Sequence, residues 1–380
     1  MSKLKILVLG GCLYPFATGG VAMQTYSLVI ALSNSNPEVS VWGSVPWKTR
    51  EDVLAGTYPK ASNVVGIRTL GESYGFLDTL ISHLLLTWRM QRSSFDIMHL
   101  MVWPSSRAAL ILRLGRLRSK KVAFLIPDIL PYEAGSYSPN LFRRLAAWLN
   151  WRIFLSSTDS IDAIICPSRF IAESLEKFGV NHRKINVLPI GIDLERIESI
   201  RAVRTSESPY ILCFAPFLPK KGQHRLIQAF ARSRARQVVK LVLLGSGTYS
   251  SRSSEYQEYC MKLTDKLGIR TVTEFLPQAT FPDLIATIRG SLMCVVPSDY
   301  EGLSRTALEA MACKKPVIVT ENGGPSEYIQ NGVNGFLFKP SEISALSDLI
   351  DMIATDVELR NRIGEAAFGT AKKFCNCPNS

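Results

Sequence analysis

Short apolar runs recur along this chain, each followed by residues at helical spacing, and the series occurs twice. The first series places strands at residues 3–9, 95–100, 121–126, 163–166 and 185–188; the second places them at 210–215, 240–244, 272–275, 292–296 and 316–319. Parallel neighbours cannot be joined by a tight turn and need a crossover, usually a helix, so this alternation predicts doubly wound parallel sheets of the α/β class. Between the two series, residues 194–209 turn polar and charged, which reads as a linker. Two doubly wound domains follow, 1–193 and 194–380. The length of 380 residues agrees, because a single domain usually takes about 100–200.

The stretch 297–338, PSDYEGLSRTALEAMACKKPVIVTENGGPSEYIQNGVNGFLF, is the densest in chemistry. It follows a strand-like run and leads into an Ala/Leu/Met-rich segment, so it forms a strand–turn–helix unit. Ligands of open parallel sheets bind beyond the C-terminal ends of the strands, which places the loop 298–302 at such a crevice. A helix opening at Gly302 would present the N–H groups of Gly302, Leu303 and Ser304 to a phosphate or to sugar oxygens. Glu301 and Glu309 frame this helix. At a rise of about 1.5 Å and a turn of about 100° per residue, they lie up to about 12 Å apart on one side, a span suited to a ligand with hydroxyls at both ends of a diphosphate. Glu309 sits among Ala307, Leu308, Ala310, Met311 and Ala312, where an unpaired carboxylate is costly and a vicinal diol would satisfy it. Further back, PKKGQHRLIQAF places Lys220 and Lys221 at a helix start, where cations oppose the dipole unless an anion binds there.

Glu301-x7-Glu309, with PSDYEG before it, LEAMACKKPVIVT through it and GGPSEYIQNGVNGFLF after it, resembles the retaining glycosyltransferases of family 4. The resemblance covers most of the chain and implies the GT-B fold, two facing Rossmann-like domains with the acceptor bound by the first and the donor by the second. It implies transfer of a sugar from a nucleoside diphosphate sugar to a hydroxyl of a glycan or glycolipid acceptor. By the same resemblance Glu301 contacts the donor sugar, Glu309 holds the ribose, and the amides of Gly302, Leu303 and Ser304 face sugar and diphosphate. Lys221 of the Lys221-Gly222 pair clamps the phosphates, and Gly19 and Gly20 let the first domain's backbone approach the diphosphate. Glu301 and Lys221 are thus the expected catalytic residues. Three positions depart from the family pattern: Pro216 stands where an Arg is expected, Pro127 where a His is frequent, and Ile190 where an Asn is common. Asp128 and His99 match family positions. A nucleotide-sugar epimerase of the same fold, or a non-catalytic relative that binds donor or lipid, stays open at this point.

Composition narrows the partners. Gly10, Gly11, Gly19 and Gly20 do not form a G-x-G-x-x-G fingerprint, which counts against a dinucleotide oxidoreductase. Six of the eight cysteines lie singly, and none of the four histidines falls in a zinc spacing. No Asp-x-Asp occurs either, so neither a metal nor any other cofactor is expected. The net charge of +12 is concentrated: residues 76–152 carry eleven Lys/Arg against four Asp/Glu. With no nucleic-acid motif present, an anionic membrane surface or an acidic acceptor is the expected partner of that region. Within it, a helix over 140–156 would gather Leu141, Phe142, Leu145, Leu149 and Ile153 on one arc with Trp and Arg at its margin, as an interfacial helix or as a core helix with a wet edge. The N-terminus enters a strand directly, and no apolar stretch approaches the roughly 18 residues of a membrane span, which predicts a cytoplasmic protein peripheral to the membrane. At the other end the resemblance implies a further helix that crosses back to the first domain; CNCPNS leaves too few residues for it, so that crossover is expected to be missing.

Overall fold

A computed structural model describes residues 3–12, 20–34, 38–46, 57–59, 62–69, 94–101, 106–116, 119–128, 141–189, 191–204, 206, 208–245 and 251–374. The chain divides into two compact units, Met1–Leu188 and Pro189–Ser380. In the first, β1 (Lys5–Cys12), β2 (Glu38–Pro46), β3 (Ser62–Thr69), β4 (Phe95–Met101), β5 (Ser119–Leu125), β6 (Ala163–Cys166) and β7 (Ile185–Val187) form one sheet in the order β3-β2-β1-β4-β5-β6-β7. Every pairing in it is parallel. Its described helices are α1 (Gly20–Asn34), α2 (Ser106–Arg116), α3 (Leu141–Leu155) and α4 (Arg169–Lys177). Ser168 caps α4 as its sequence position predicts, its hydroxyl accepting from the Ile171 N–H.

The second unit repeats the plan. Strands β8 (Tyr210–Phe214), β9 (Lys240–Leu244), β10 (Thr273–Leu276), β11 (Met293–Val296), β12 (Val317–Thr320) and β13 (Phe336–Phe338) run in the order β10-β9-β8-β11-β12-β13, again all parallel. Helices α5 (Leu194–Ser199), α6 (Gln223–Arg232), α7 (Ser251–Lys266), α8 (Phe281–Gly290), α9 (Arg305–Ala312), α10 (Ile343–Thr355) and α11 (Val357–Ala371) cover it. Leu212, Phe214, Cys294, Val296, Val317 and Val319 face one apolar cluster, while Ile211, Cys213, Met293, Val295 and Ile318 face another. Burial on both faces is why these strands read as unbroken apolar runs. Strand order reverses between β8 and β11, and at such a switch point the loops leaving the C-terminal ends part to form a crevice.

The division after Leu188 precedes the expected boundary at 193/194, and the expected linker is partly core. Asp193 caps α5, its carboxylate accepting from the Arg196 N–H at 2.9 Å. Ile192, Leu194 and Ile197 are buried against the second sheet. Leu194 and Ile197, three apart on one helix face, supply the apolar contact that the polar composition of this window hides. The Ile192 N–H donates to the Phe374 carbonyl at 2.8 Å, tying this segment to the turn after α11. Residues 375–380, and with them the expectation of a missing crossover helix, lie outside the described residues.

Candidate functional site

The loop after β11 differs from its sequence reading in one respect. Helix α9 begins at Arg305, and Ser304 is its cap, in the left-handed region at φ 64° with its hydroxyl accepting from the Ala307 N–H. Gly302, Leu303 and Ser304 therefore lie ahead of the first turn, and the helical spacing assumed between Glu301 and Glu309 does not apply. Glu301 instead bridges to Gly323 as a short parallel pairing: its N–H donates to the Asn322 carbonyl at 3.1 Å, and its carbonyl accepts from the Gly324 N–H at 3.0 Å. Only glycine fits opposite it, because Gly323 has φ 115° and a Cβ there would stand 2.1 Å from the Glu301 carbonyl oxygen. From the far side the Tyr328 hydroxyl donates to the Leu303 carbonyl at 2.9 Å, with the Ser304 carbonyl at 3.4 Å, and so holds the bend from behind.

The loop after β8 meets this bend. Pro219–Lys221 form a single 3-10 turn that Gly222 ends at φ 67° before α6 begins. A Cβ on Gly222 would lie 1.9 Å from the Pro297 carbonyl oxygen, so the two backbones approach as closely as a glycine allows. The Asp299 N–H donates to the Lys220 carbonyl at 2.8 Å, and the Arg225 guanidinium pairs with the Asp299 carboxylate. Lys220 is buried, its ammonium 3.6 Å from the centre of the Tyr300 ring.

Across this seam the Lys221 ammonium donates to Glu301 Oε1 at 2.7 Å, and the Ser298 hydroxyl donates to the same oxygen. Glu301 is only 7% exposed. Burial opposes its ionisation, but the Lys221 and Lys220 charges and the Lys221 and Ser298 hydrogen bonds outweigh burial and hold the carboxyl below its ordinary range. It is an anion at neutral pH. Glu309, also 7% exposed, is not the unpaired carboxylate that its apolar neighbours imply: the Arg305 guanidinium donates to its Oε1 at 2.8 Å. The expected load on the helix start is likewise met from inside, since Glu301 is the anion facing Lys221. Two buried carboxylates, each on a cation, thus stand on the same loop–helix unit at the switch point.

The structure brings Lys221 to Glu301 and the bend of Gly302, Leu303 and Ser304, while Glu309 lies further along on α9, paired with Arg305. Gly19 lies outside the described residues, and Gly20 opens α1 in the first unit. Pro216 keeps a local role, its carbonyl accepting from the Gln223 amide at 2.9 Å. His99 lies on β4, where burial pushes its pKa down to about 4 and keeps the ring neutral. Pro127 and Asp128, just beyond β5, are half-buried. Cys166, Cys213, Cys260, Cys294 and Cys313 are buried thiols outside any disulfide. Among the described residues no three His, Cys, Asp or Glu side chains gather in a metal-binding group.

The sequence reading missed Arg305, Ser298, Arg225 and Tyr328. Arg305 had a signal, because it stands four residues before Glu309 on one helix face. Ser298, three residues before Glu301, and the distant Arg225 and Tyr328 had none without the fold.

Residues 18–196 match the family described as Glycosyltransferase Family 4, and residues 196–370 match Glycosyl transferases group 1. A D-inositol 3-phosphate glycosyltransferase of Kribbella flavida is 32% identical over 212 residues, 53% of this chain and 50% of that protein. The chain thus spans about half the length of that relative. A GDP-mannose-dependent monoacylated alpha-(1-6)-phosphatidylinositol monomannoside mannosyltransferase of Corynebacterium glutamicum is 26% identical, over 70% of each chain. In fold the chain matches the crystal structure of Anabaena HepE in complex with UDP and glucose, with a TM-score of 0.76, 20% identity, and coverage of 98% of this chain and 95% of that one.

Proposed function

Because this chain belongs to the group 1 and family 4 glycosyltransferases, with the GT-B fold, we propose that it moves a sugar, with retention of configuration, from a nucleoside diphosphate sugar to a hydroxyl of a glycan or lipid-linked acceptor. The observation that carries the reading is the pair of buried carboxylates, Glu301 on Lys221 and Glu309 on Arg305, at the switch point of the second sheet. The HepE complex with UDP and glucose supports the donor class, and the mannosyltransferase acting on a phosphatidylinositol mannoside supports a lipid-linked acceptor.

In this reading Glu309 accepts hydrogen bonds from the ribose hydroxyls, Lys221 and the 302–304 amides receive the diphosphate, and Glu301 contacts the transferred sugar. The anomeric carbon–oxygen bond to the diphosphate breaks, a bond to the acceptor oxygen forms, and the acceptor proton passes to the leaving phosphate oxygen. Charge grows on the diphosphate as its bond breaks, so Lys221 stabilises the transition state more than the ground state. Glu301, kept ionised by its lysines, favours the positive charge that develops on the sugar ring. Neither carboxylate needs to be an acid or base, and the positive field comes from lysine and amides without a required metal.

Incubation with a panel of nucleotide sugars and an acceptor tests the reading. Release of nucleoside diphosphate with the sugar on the acceptor, undiminished by a chelator, is the expected outcome. Epimerised donor, or donor bound and unchanged, would overturn it in favour of an epimerase or a non-catalytic binder. The proposed setting is the cytoplasmic face of a membrane, with the basic region 76–152 toward anionic lipid; among the described residues no helix is long and apolar enough to cross a bilayer.

A further inference from the structure

Helix α3 turns its apolar face outward. Leu141 and Phe142 are each 76% exposed, and Leu145, Trp148, Leu149 and Ile153 are exposed beside them. At about 100° per residue these six side chains share one arc of roughly 140°. The face opposite is the buried one: Trp151 and Phe154 pack on each other, Phe154 on Phe124 of β5, and Trp151 on Phe178. The helix is thus seated on the sheet by its other side, and the wet-edged core helix that its sequence allowed is excluded. A contiguous apolar stripe of this kind on a surface helix marks a contact with something apolar.

Charge identifies the occupant. Helix α3 carries no Asp or Glu but three arginines. Exposed Arg144 and Arg152 flank or interrupt the stripe, with the Arg152 guanidinium 5.8 Å from the centre of the Trp148 ring. On α2, which packs beside α3, Leu110 and Arg113 are also exposed. Tryptophan and arginine at the edge of an apolar stripe are suited to the boundary between acyl chains and anionic headgroups, where the ring body is buried and its polar edge stays wet. A helix of 15 residues spans about 22 Å along its axis, short of a bilayer crossing, and lies in the plane of such a boundary.

We propose that the outward face of α3 is the surface by which this protein docks on an anionic lipid membrane, with Leu145, Trp148 and Leu149 entering the acyl boundary and Arg144 and Arg152 on phosphates. The proposal deepens the lipid-linked acceptor of the preceding reading and rests on it for its purpose, but its test needs neither donor nor acceptor. The whole chain is sedimented at low salt with vesicles of phosphatidylcholine alone and of phosphatidylcholine mixed with phosphatidylglycerol. Binding to the anionic vesicles only, lowered at least tenfold in Arg144→Glu/Arg152→Glu and in Leu145→Ser/Leu149→Ser with unchanged melting temperatures, is the expected result. Quenching of Trp148 fluorescence by brominated acyl chains, absent in Trp148→Phe, gives a readout that needs no folding comparison. No binding to anionic vesicles, or binding that both double variants retain, would overturn it. So would a self-association in solution that the same variants abolish, because the occupant would then be a second copy of the chain.

Discussion

The second unit turns its carboxylates inward onto cations, whereas the first turns an apolar helix outward. Both stand on the same parallel-sheet plan, so the difference lies in the loops and helices laid over it. Around Glu301 the chain accepts the desolvation of a charged group because Lys221, Lys220 and Ser298 offset it. On α3 the chain leaves apolar surface in water with no folding gain of its own. The residues proposed for the donor are thus set apart by burial, and the face proposed for docking by exposure.

The largest effect expected from breaking the donor seam is that of Gly222→Ala. The left-handed backbone costs about 1–2 kcal/mol for a residue with a Cβ, and displacing the Pro297 carbonyl adds about 1–3 kcal/mol. Gly268→Ala is the control: its φ is +66° but nothing lies within 4 Å of its Cβ, so it carries the backbone cost alone. Equal urea midpoints for the two variants would show that the loops do not press together. Next comes Lys221→Ala, which leaves Glu301 buried without its strongest partner. A charged hydrogen bond is worth about 1.5–3 kcal/mol, toward the lower end here because 22% of the Lys221 side chain remains exposed. Thermal or urea unfolding reads the loss, and Lys221→Ala/Glu301→Gln should recover part of it.

Tyr328→Phe is a smaller and more selective break. It deletes one hydroxyl behind the 302–304 bend, worth about 0.5–1.5 kcal/mol, and leaves the ring on Phe374. Donor affinity should fall several-fold with little change in melting temperature; unchanged affinity would mean that the bend holds its shape without the tyrosine. Smallest of all is Leu145→Gln. An exposed position outside the core should stay within about 0.5 kcal/mol of the parent, while Leu308→Ala, buried in α9, should cost about 2–5 kcal/mol. Similar losses at both positions would show that α3 is covered in solution.

How much was legible in the sequence follows the same physics. Strands β6 and β9 match their expected bounds because AIIC and KLVLL are short, nearly continuous apolar runs. Of the strands not foreseen, β3 and β13 are sheet edges, where polar residues are tolerated: SNVVGIRT carries Ser, Asn, Gly, Arg and Thr, and FLF is only three residues long; in β2 the apolar run is interrupted by Ser40, Gly43 and Ser44. Glu301, Glu309 and Lys221 were legible from their local motifs. The Lys221–Glu301 pair was not, because eighty positions separate its members and only the reversal of strand order brings their loops together. Nor was the start of α9 at Arg305, since a left-handed serine is uncommon and no propensity predicts it.

The central claim is that the two paired carboxylates and Lys221 form a nucleoside diphosphate sugar site. Calorimetric titration of UDP and GDP, and of their sugars, into the parent, Glu309→Ala, Lys221→Ala and Glu301→Ala proteins tests it most directly. Nucleotide affinity should fall at least tenfold in Glu309→Ala and in Lys221→Ala, equivalent to about 1.4 kcal/mol or more. Glu301→Ala should keep nucleotide affinity and lose transfer. Unchanged nucleotide affinity in both Glu309→Ala and Lys221→Ala, with each protein folded, would contradict it.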